Sequence, residues 1–260
     1  MKKTDIYKYY AFGYNYKILR DTDDSFTYEQ FAKNIKDYRE FIEELSLKVT
    51  SEVLELRGFD SEEKKLLALL KKEGKDKSVE ESKVSNILEI LQIADATLDA
   101  ELSIRVAYIL DDKRISNEIL FDSPGKLFAN NVFIELPPVA RQDFEESCKC
   151  LAFDRYTACA FHALRGTEDV IKYYYEKLTN KQSNESQTWY NFIDEIKKLN
   201  ATLKVEEEIF INLDYLRKYY RNKTQHPLLI YSLDNAQDLL LHCIKSVNEV
   251  ITDLKKRTLI

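Results

Sequence analysis

Glycine and proline are scarce, with 5 Gly and 4 Pro in 260 residues. Turns built on those residues are therefore few, and long helices are expected. So few glycines also leave little room for a Gly-rich phosphate loop. No apolar run approaches the length of a membrane span, and the opening MKKTDIYKYY lacks the apolar core of a secretory signal. The expectation is a cytoplasmic protein with no membrane partner. The formal net charge of −6 excludes bulk attraction to polyanions, so any nucleic-acid contact has to come from a local basic patch. The four cysteines (Cys148, Cys150, Cys159 and Cys243) sit in apolar helical contexts and not in a secreted disulfide pattern.

What is present is a globular composition, 44% hydrophobic and 32% charged, which excludes general disorder. In the first stretch Tyr10, Phe12, Tyr14, Tyr16 and Ile18 alternate with other residues, which predicts a strand or extended arm. Its aromatics and Lys8 and Lys17 suit base stacking, although packing on the body is the commoner use of tyrosine. Residues 27–47 carry a helical stripe of Phe31, Ile35, Tyr38, Phe41, Ile42 and Leu45, and Ser61 is expected to cap the next helix. Lys71 to Lys83 reads as an exposed loop before helix resumes at Val84. The SPG and LPP breaks at 123–125 and 136–138 place a domain boundary near residue 140. The expected organisation is a mainly helical N-terminal domain over 1–140 and a helical bundle over 141–260.

In the second half, a short helix from Arg141 to Leu151 precedes one capped by Asp154, with Phe161, Leu164, Ile171, Tyr175 and Leu178 inward. Glu168 falls on that stripe with Arg165 three residues before it. The two are read either as a structural clasp or as part of a site. Ser186 or Thr188 opens a third helix with Trp189, Phe192, Ile193, Ile196 and Leu199 inward. A fourth runs from about Val205 to Tyr220, and a last one from Ser232–Asp234 to Leu254. All of this predicts an all-α protein.

Between the last two helices lies YYRNKTQHP, Tyr219 to Pro227. Pro227 disfavours helical geometry at His226, so the helix carrying Arg221 is expected to end before the histidine. In an unbroken helix the two side chains would stand about 140° apart, whereas a break lets His226 fold back towards Arg221 and lets Asn222 cap or orient the turn. From Tyr215 to Leu233 there is no acidic residue, while Arg217, Lys218, Arg221 and Lys223 are basic. That is a local phosphate-attracting patch flanked by tyrosines. The chemistry it suits is metal-independent RNA cleavage. Histidine moves protons near neutral pH, and arginine presents a fixed fork of donors to phosphate oxygens. On these residues alone a structural histidine is the commoner outcome.

The segments EEEIFINLDYLRKYY (206–220), RNKTQHP (221–227) and YSLDNAQDLLLHCI (231–244) resemble the C-terminal half of a HEPN domain. SCKCLAFDRYTACAFHALRGTED (147–169) resembles the first helices of HEPN-like bacterial proteins, so the likeness covers about residues 130–255. The HEPN signature is Arg and His separated by four to six residues, the first often polar. The resemblance implies an antiparallel all-α bundle and a two-fold homodimer that brings two motifs into one cleft. It also implies endoribonuclease activity in toxin–antitoxin, abortive-infection or CRISPR-linked defence, with an antitoxin or other defence-system protein as a partner. Arg221 and His226 would then be the catalytic pair, with Asn222 in the polar position and Arg217, Lys218 and Lys223 on RNA. Arg165 and Glu168 are supporting candidates from their own pattern. In the subgroup paired with a nucleotidyltransferase antitoxin a tyrosine follows the histidine by two positions. Leu228 stands there in this chain, which speaks against that regulation.

Two other functions stay open: a non-catalytic HEPN-like module binding RNA, nucleotide or a partner protein, and a purely structural subunit. Cys148, Cys150, Cys159 and His162 can be drawn as a zinc set, but the spacing is not a common ligand pattern and helical cysteines usually pack in cores. Neither a metal nor a cofactor is therefore expected. His242 has no partner motif and is read as packing.

Overall fold

The computed structural model describes residues 6–22, 25–106, 108–111, 113–226 and 229–260. The described residues are predominantly helical and include no β-sheet, so the chain is all-α as expected. It divides into two compact units, Met1–Tyr108 and Ile109–Ile260. The division thus falls before the expected boundary near residue 140. The reason is packing: Ile115, Leu120, Phe128, Val132 and Leu136 are buried in the second unit's core, so the stretch with the SPG and LPP breaks leads into that unit.

The first unit consists of α1 (Ile6–Arg20), α2 (Tyr28–Glu44), α3 (Lys48–Leu56), α4 (Phe59–Glu73) and α5 (Glu81–Ser103). The expected extended arm is α1, a helix. Phe12, Tyr16 and Leu19, at helical spacing, are the residues that pack, with Phe12 stacked on Phe41 at 3.5 Å between ring centroids. Gly58, in a left-handed conformation (φ 79°), precedes α4 where Ser61 was the expected cap. The stretch from Lys71 to Lys83 is only partly a loop, because α4 reaches Glu73 and α5 starts at Glu81. Between them Val79 is buried and donates to the Phe26 carbonyl at 2.7 Å.

The second unit holds the candidate residues. A short α6 (Asn117–Asp122) and two 3₁₀ turns lead to α7 (Pro138–Ala152), α8 (Tyr156–Thr179), α9 (Trp189–Lys198), α10 (Asn200–Leu203), α11 (Glu207–Leu216) and α13 (Leu233–Lys256), with α12 (Asn222–Gln225) before the last. Side-chain contacts fix the helix directions. Ser147 meets Cys159, Asp143 meets Arg165 and Ala140 meets Asp169, so α7 and α8 are antiparallel. Thr157 meets Tyr231 and Tyr174 meets Asp253, so α8 and α13 run parallel. Asn212 meets Glu249 and Tyr215 stacks on His242, so α11 opposes α13. The bundle is therefore not antiparallel throughout, because the long connection from α8 to α13 lets those two lie side by side in one direction.

Apolar stripes explain the packing. Ile209, Leu213 and Leu216 of α11 and Leu240, Cys243, Val247, Val250 and Leu254 of α13 are buried as the periodicity predicts. Thr188 caps α9 in a reciprocal box with Asn191. Three expectations fail locally. Phe161 (46% exposed) and Leu199 face solvent, and Asp154 is not a cap. Its backbone is left-handed (φ 59°), and its carboxylate takes Lys113 Nζ at 2.9 Å and the Tyr156 hydroxyl at 3.0 Å.

Candidate functional site around Arg221 and His226

Helix α11 does not continue unchanged to Arg221. Residues Arg217–Arg221 form a π turn, in which the Asn222 N–H bonds the Arg217 carbonyl five residues back. Such one-turn widenings recur at functional sites and cannot be read from a 3.6-residue pattern. The helix then closes with α12 and ends at Gln225. His226 is extended (φ −97°, ψ 143°) and exposed, which agrees with the expected helix end. Pro227, invoked as its cause, and Leu228 lie outside the described residues.

Thr224 pins the start of this loop. It is buried, its hydroxyl donates to the Tyr220 carbonyl at 2.8 Å, and its oxygen lies 2.7 Å from the Tyr231 hydroxyl. Tyr231 pins the far end, its N–H donating to Thr157 of α8 at 3.3 Å. Burial pushes the Tyr231 phenol up. His226 therefore sits near the start of a loop held at both ends.

Arg221 is oriented by Glu168 and not by His226. Its Nη2 donates to both Glu168 oxygens, at 3.1 and 3.4 Å. Its Nε is buried and has no partner among the described residues. The Arg165–Glu168 clasp, one of the two readings of that pair, does not form among the described residues, because each side chain has another partner. Arg165 makes a fork to Asp143 on α7, Nε to Oδ2 at 2.7 Å and Nη2 to Oδ1 at 2.6 Å. Arg165 and Glu168 line one cleft of about 390 Å³ with Asp169, Lys172, Asn184 and Gln187. Arg221 and His226 are not among its described lining residues.

His226 has no hydrogen-bond partner among the described residues, and so makes none with Arg221. Asn222 is exposed and continues the helix; it does not cap it. The basic patch divides. Lys218 and Lys223 are exposed without a carboxylate partner among the described residues, and Lys223 lies over the Tyr219 ring at 6.0 Å. Arg217 is instead held by Asp214 at 3.2 Å and lies over the Tyr190 ring at 5.1 Å. Hydrogen bonds from Lys197 and Arg217 keep the partly buried Asp214 below the usual carboxylate range.

The drawn zinc set is not assembled. Cys148 and Cys159 are buried with thiols pushed up to about 12, and His162 turns to Asp143. Among the described residues no group of three or more His, Cys, Asp or Glu side chains is placed to hold a metal ion. Asp143 went unnoticed in the sequence; its one signal is an acid in the apolar half of an amphipathic helix, between Ala140 and Phe144. No helix of the described residues is long and apolar enough to cross a membrane.

Comparison with known proteins leaves the site to be read from its own chemistry: no family model, no curated protein and no solved structure matches the chain.

Proposed function

We propose that the second unit is a metal-independent endoribonuclease of the HEPN type, acting as a toxin or anti-phage defence effector. The observation that carries this is the Arg221 guanidinium, fixed by Glu168 at a π turn, followed by an exposed, extended His226 on a pinned loop. Around them Lys218, Asn222 and Lys223 are exposed in a stretch without acidic residues. Arg221, with the lysines, holds the phosphate and stabilises charge developing on it, while His226 moves a proton. The ribose 2′-hydroxyl attacks its own phosphorus, the bond to the 5′-oxygen breaks, and a 2′,3′-cyclic phosphate and a 5′-hydroxyl result. A homodimer brings two such surfaces into one cleft. A defence-system partner such as an antitoxin covers the surface in the silenced state, and the protein works in the cytoplasm.

The test is cleavage of RNA with EDTA present by wild type, Arg221→Ala and His226→Ala. The expected result is cleavage by wild type and a loss of about 100-fold or more in each variant. Intact RNA with wild type, or equal cleavage by all three, sinks the proposal. Small-angle scattering tests the dimer, and a monomer at assay concentration counts against a composite cleft.

The second reading, a module that binds RNA, nucleotide or a partner protein without turnover, is favoured by one observation: Arg221 is already ion-paired, and His226 is unpartnered among the described residues. Binding of RNA by wild type with no cleavage product selects it.

A further inference from the structure

The cleft beside Glu168, about 390 Å³, has no role in the chemistry proposed for Arg221 and His226, yet its size is that of a small-ligand site. Arg165, Asp169 and Lys172 of α8 line it at one-turn intervals, within about 60° of one another around the helix. Asn184 joins them from the connection between α8 and α9. Glu168, which lines the same cleft, is also the residue that holds Arg221, so the cleft lies one side chain away from that guanidinium.

Contacts within the chain occupy some of these groups and leave others open. The fork to Asp143 fixes the Arg165 guanidinium, and because that side chain is 65% exposed it presents a fixed plane. Asp169 Oδ2 accepts the Ala140 N–H at 3.1 Å, whereas Oδ1 has no partner among the described residues. Burial pushes this carboxyl up, against the Ala140 N–H and the charge of Lys172. Lys172 is exposed and forms no ion pair among the described residues. Asn184 Oδ1 accepts from the Ser186 N–H and hydroxyl, so Nδ2 is the atom left to donate. The open groups are a carboxylate acceptor, an ammonium and an amide donor, beside a flat cation.

This set discriminates among ligands. Glu168, Asp169 and Glu185 all line the cleft, so a bare phosphate meets more carboxylates than cations. A nucleobase suits it better, since bases are read along their edges and stack on guanidinium planes. Guanine presents two adjacent donors, N1–H and N2–H, to a carboxylate, while its O6 and N7 accept from ammonium and amide groups. Adenine, cytosine and uracil lack that adjacent donor pair.

We infer that this cleft binds the guanine base of a nucleotide or of an RNA strand. Asp169 takes the N1–H and N2–H donors, Lys172 and Asn184 donate to O6 and N7, and the ring lies on the Arg165 guanidinium. The inference stands apart from the ribonuclease reading, since holding a base requires no cleavage.

The test titrates the full chain by calorimetry with guanosine, inosine, adenosine, cytidine and uridine, each up to about 1 mM. Guanosine is expected to bind about tenfold or more tighter than the other four, including inosine, which differs only in lacking the N2 amino group. Asp169→Asn keeps an acceptor for the Ala140 N–H and turns the other oxygen into a donor. It should abolish the preference for guanosine over inosine, a ratio that a purely structural role for Asp169 would not move. Lys172→Ala, at an exposed position, should weaken guanosine about tenfold and carries the test should Asp169→Asn not fold. Guanosine monophosphate against the trinucleotide UpGpU separates the two sources of the base, the tighter binder identifying which one the cleft takes. No binding of guanosine, all five nucleosides within about threefold, or both variants equal to wild type overturns the inference. Guanosine binding by a chain that leaves RNA intact supports it and removes only the ribonuclease reading.

Discussion

Glu168 of α8 accepts two hydrogen bonds from Arg221, 53 residues further along the chain, and so ties the middle of one helix to the π turn ending another. The two side chains are about a quarter exposed, at 26% and 23%, which weakens the pair against a buried one but spares it full desolvation. Glu168→Ala is expected to lower stability by about 1 kcal/mol and, on the proposed ribonuclease reading, RNA cleavage by about tenfold, since Arg221 keeps its charge and loses its orientation. Urea unfolding and a cleavage assay on the same preparations measure both. A double-mutant cycle with Arg221→Ala should give a coupling of about 0.5–1 kcal/mol; strictly additive effects would show that the contact contributes nothing.

Gly166 marks a close approach of α7 and α8. Its missing Cβ would meet Phe144 ring carbons at 3.1 and 3.2 Å and Asp143 Cβ at 3.2 Å, and neither neighbour is the free end of a flexible side chain. The helical propensity gained by Gly166→Ala, about 1 kcal/mol, is therefore opposed by overpacking of about 1–3 kcal/mol. The net expectation is a lower melting temperature by calorimetry, the reverse of what an alanine does in an exposed helix. A rise in melting temperature would mean that the helices separate without cost.

How far the sequence was readable follows from the same contacts. The stripes of α11 and α13 were legible because long amphipathic helices repeat their signal over several turns. α1 was misread because aromatics at every second position also include Phe12 and Tyr16, a pair one helical turn apart. Arg221 and His226 stood out through charge and the proline after them, whereas Glu168's partner depended on a helix distant in sequence. Asp143 was hidden for a similar reason. Its value lies in what α8 presents to it, namely His162 and Arg165, and no local pattern on α7 encodes that.

Phe161 and Leu164 separate the stripe as expected from the stripe as folded. They stand roughly 60° apart around α8, enough to put Leu164 in the core at 4% exposed and Phe161 outside at 46%. Leu164→Ala is expected to cost about 2–4 kcal/mol, through lost burial and the cavity left behind. Phe161→Ser should change stability by less than about 0.5–1 kcal/mol. Urea midpoints with unchanged slopes decide it, and a large loss at Phe161 would place that ring in an interface.

The pH dependence of stability has an identifiable contributor in His242. Its ring is stacked on Tyr215, with centroids 5.2 Å apart, and burial followed by the charge of Lys245 lowers its pKa below the ordinary 6.5, with Glu249 opposing. The sign follows from which state takes up the proton first. As pH falls through 6.5 the unfolded chain protonates while the folded chain still holds a neutral ring, so protons favour unfolding. The stabilisation from a neutral His242 is thus present above 6.5 and is lost as pH falls from there towards the folded-state value. Carboxylates held low by partners, such as Asp60 and Asp214, protonate at lower pH, so their losses come later in an acid titration. Wild type should therefore lose more unfolding free energy than His242→Phe between about pH 7.5 and about pH 5.5. Tyr215 can stack on the substituted ring, which keeps the packing while removing the titration. Equal pH slopes for the two proteins in that window would assign the loss to other groups.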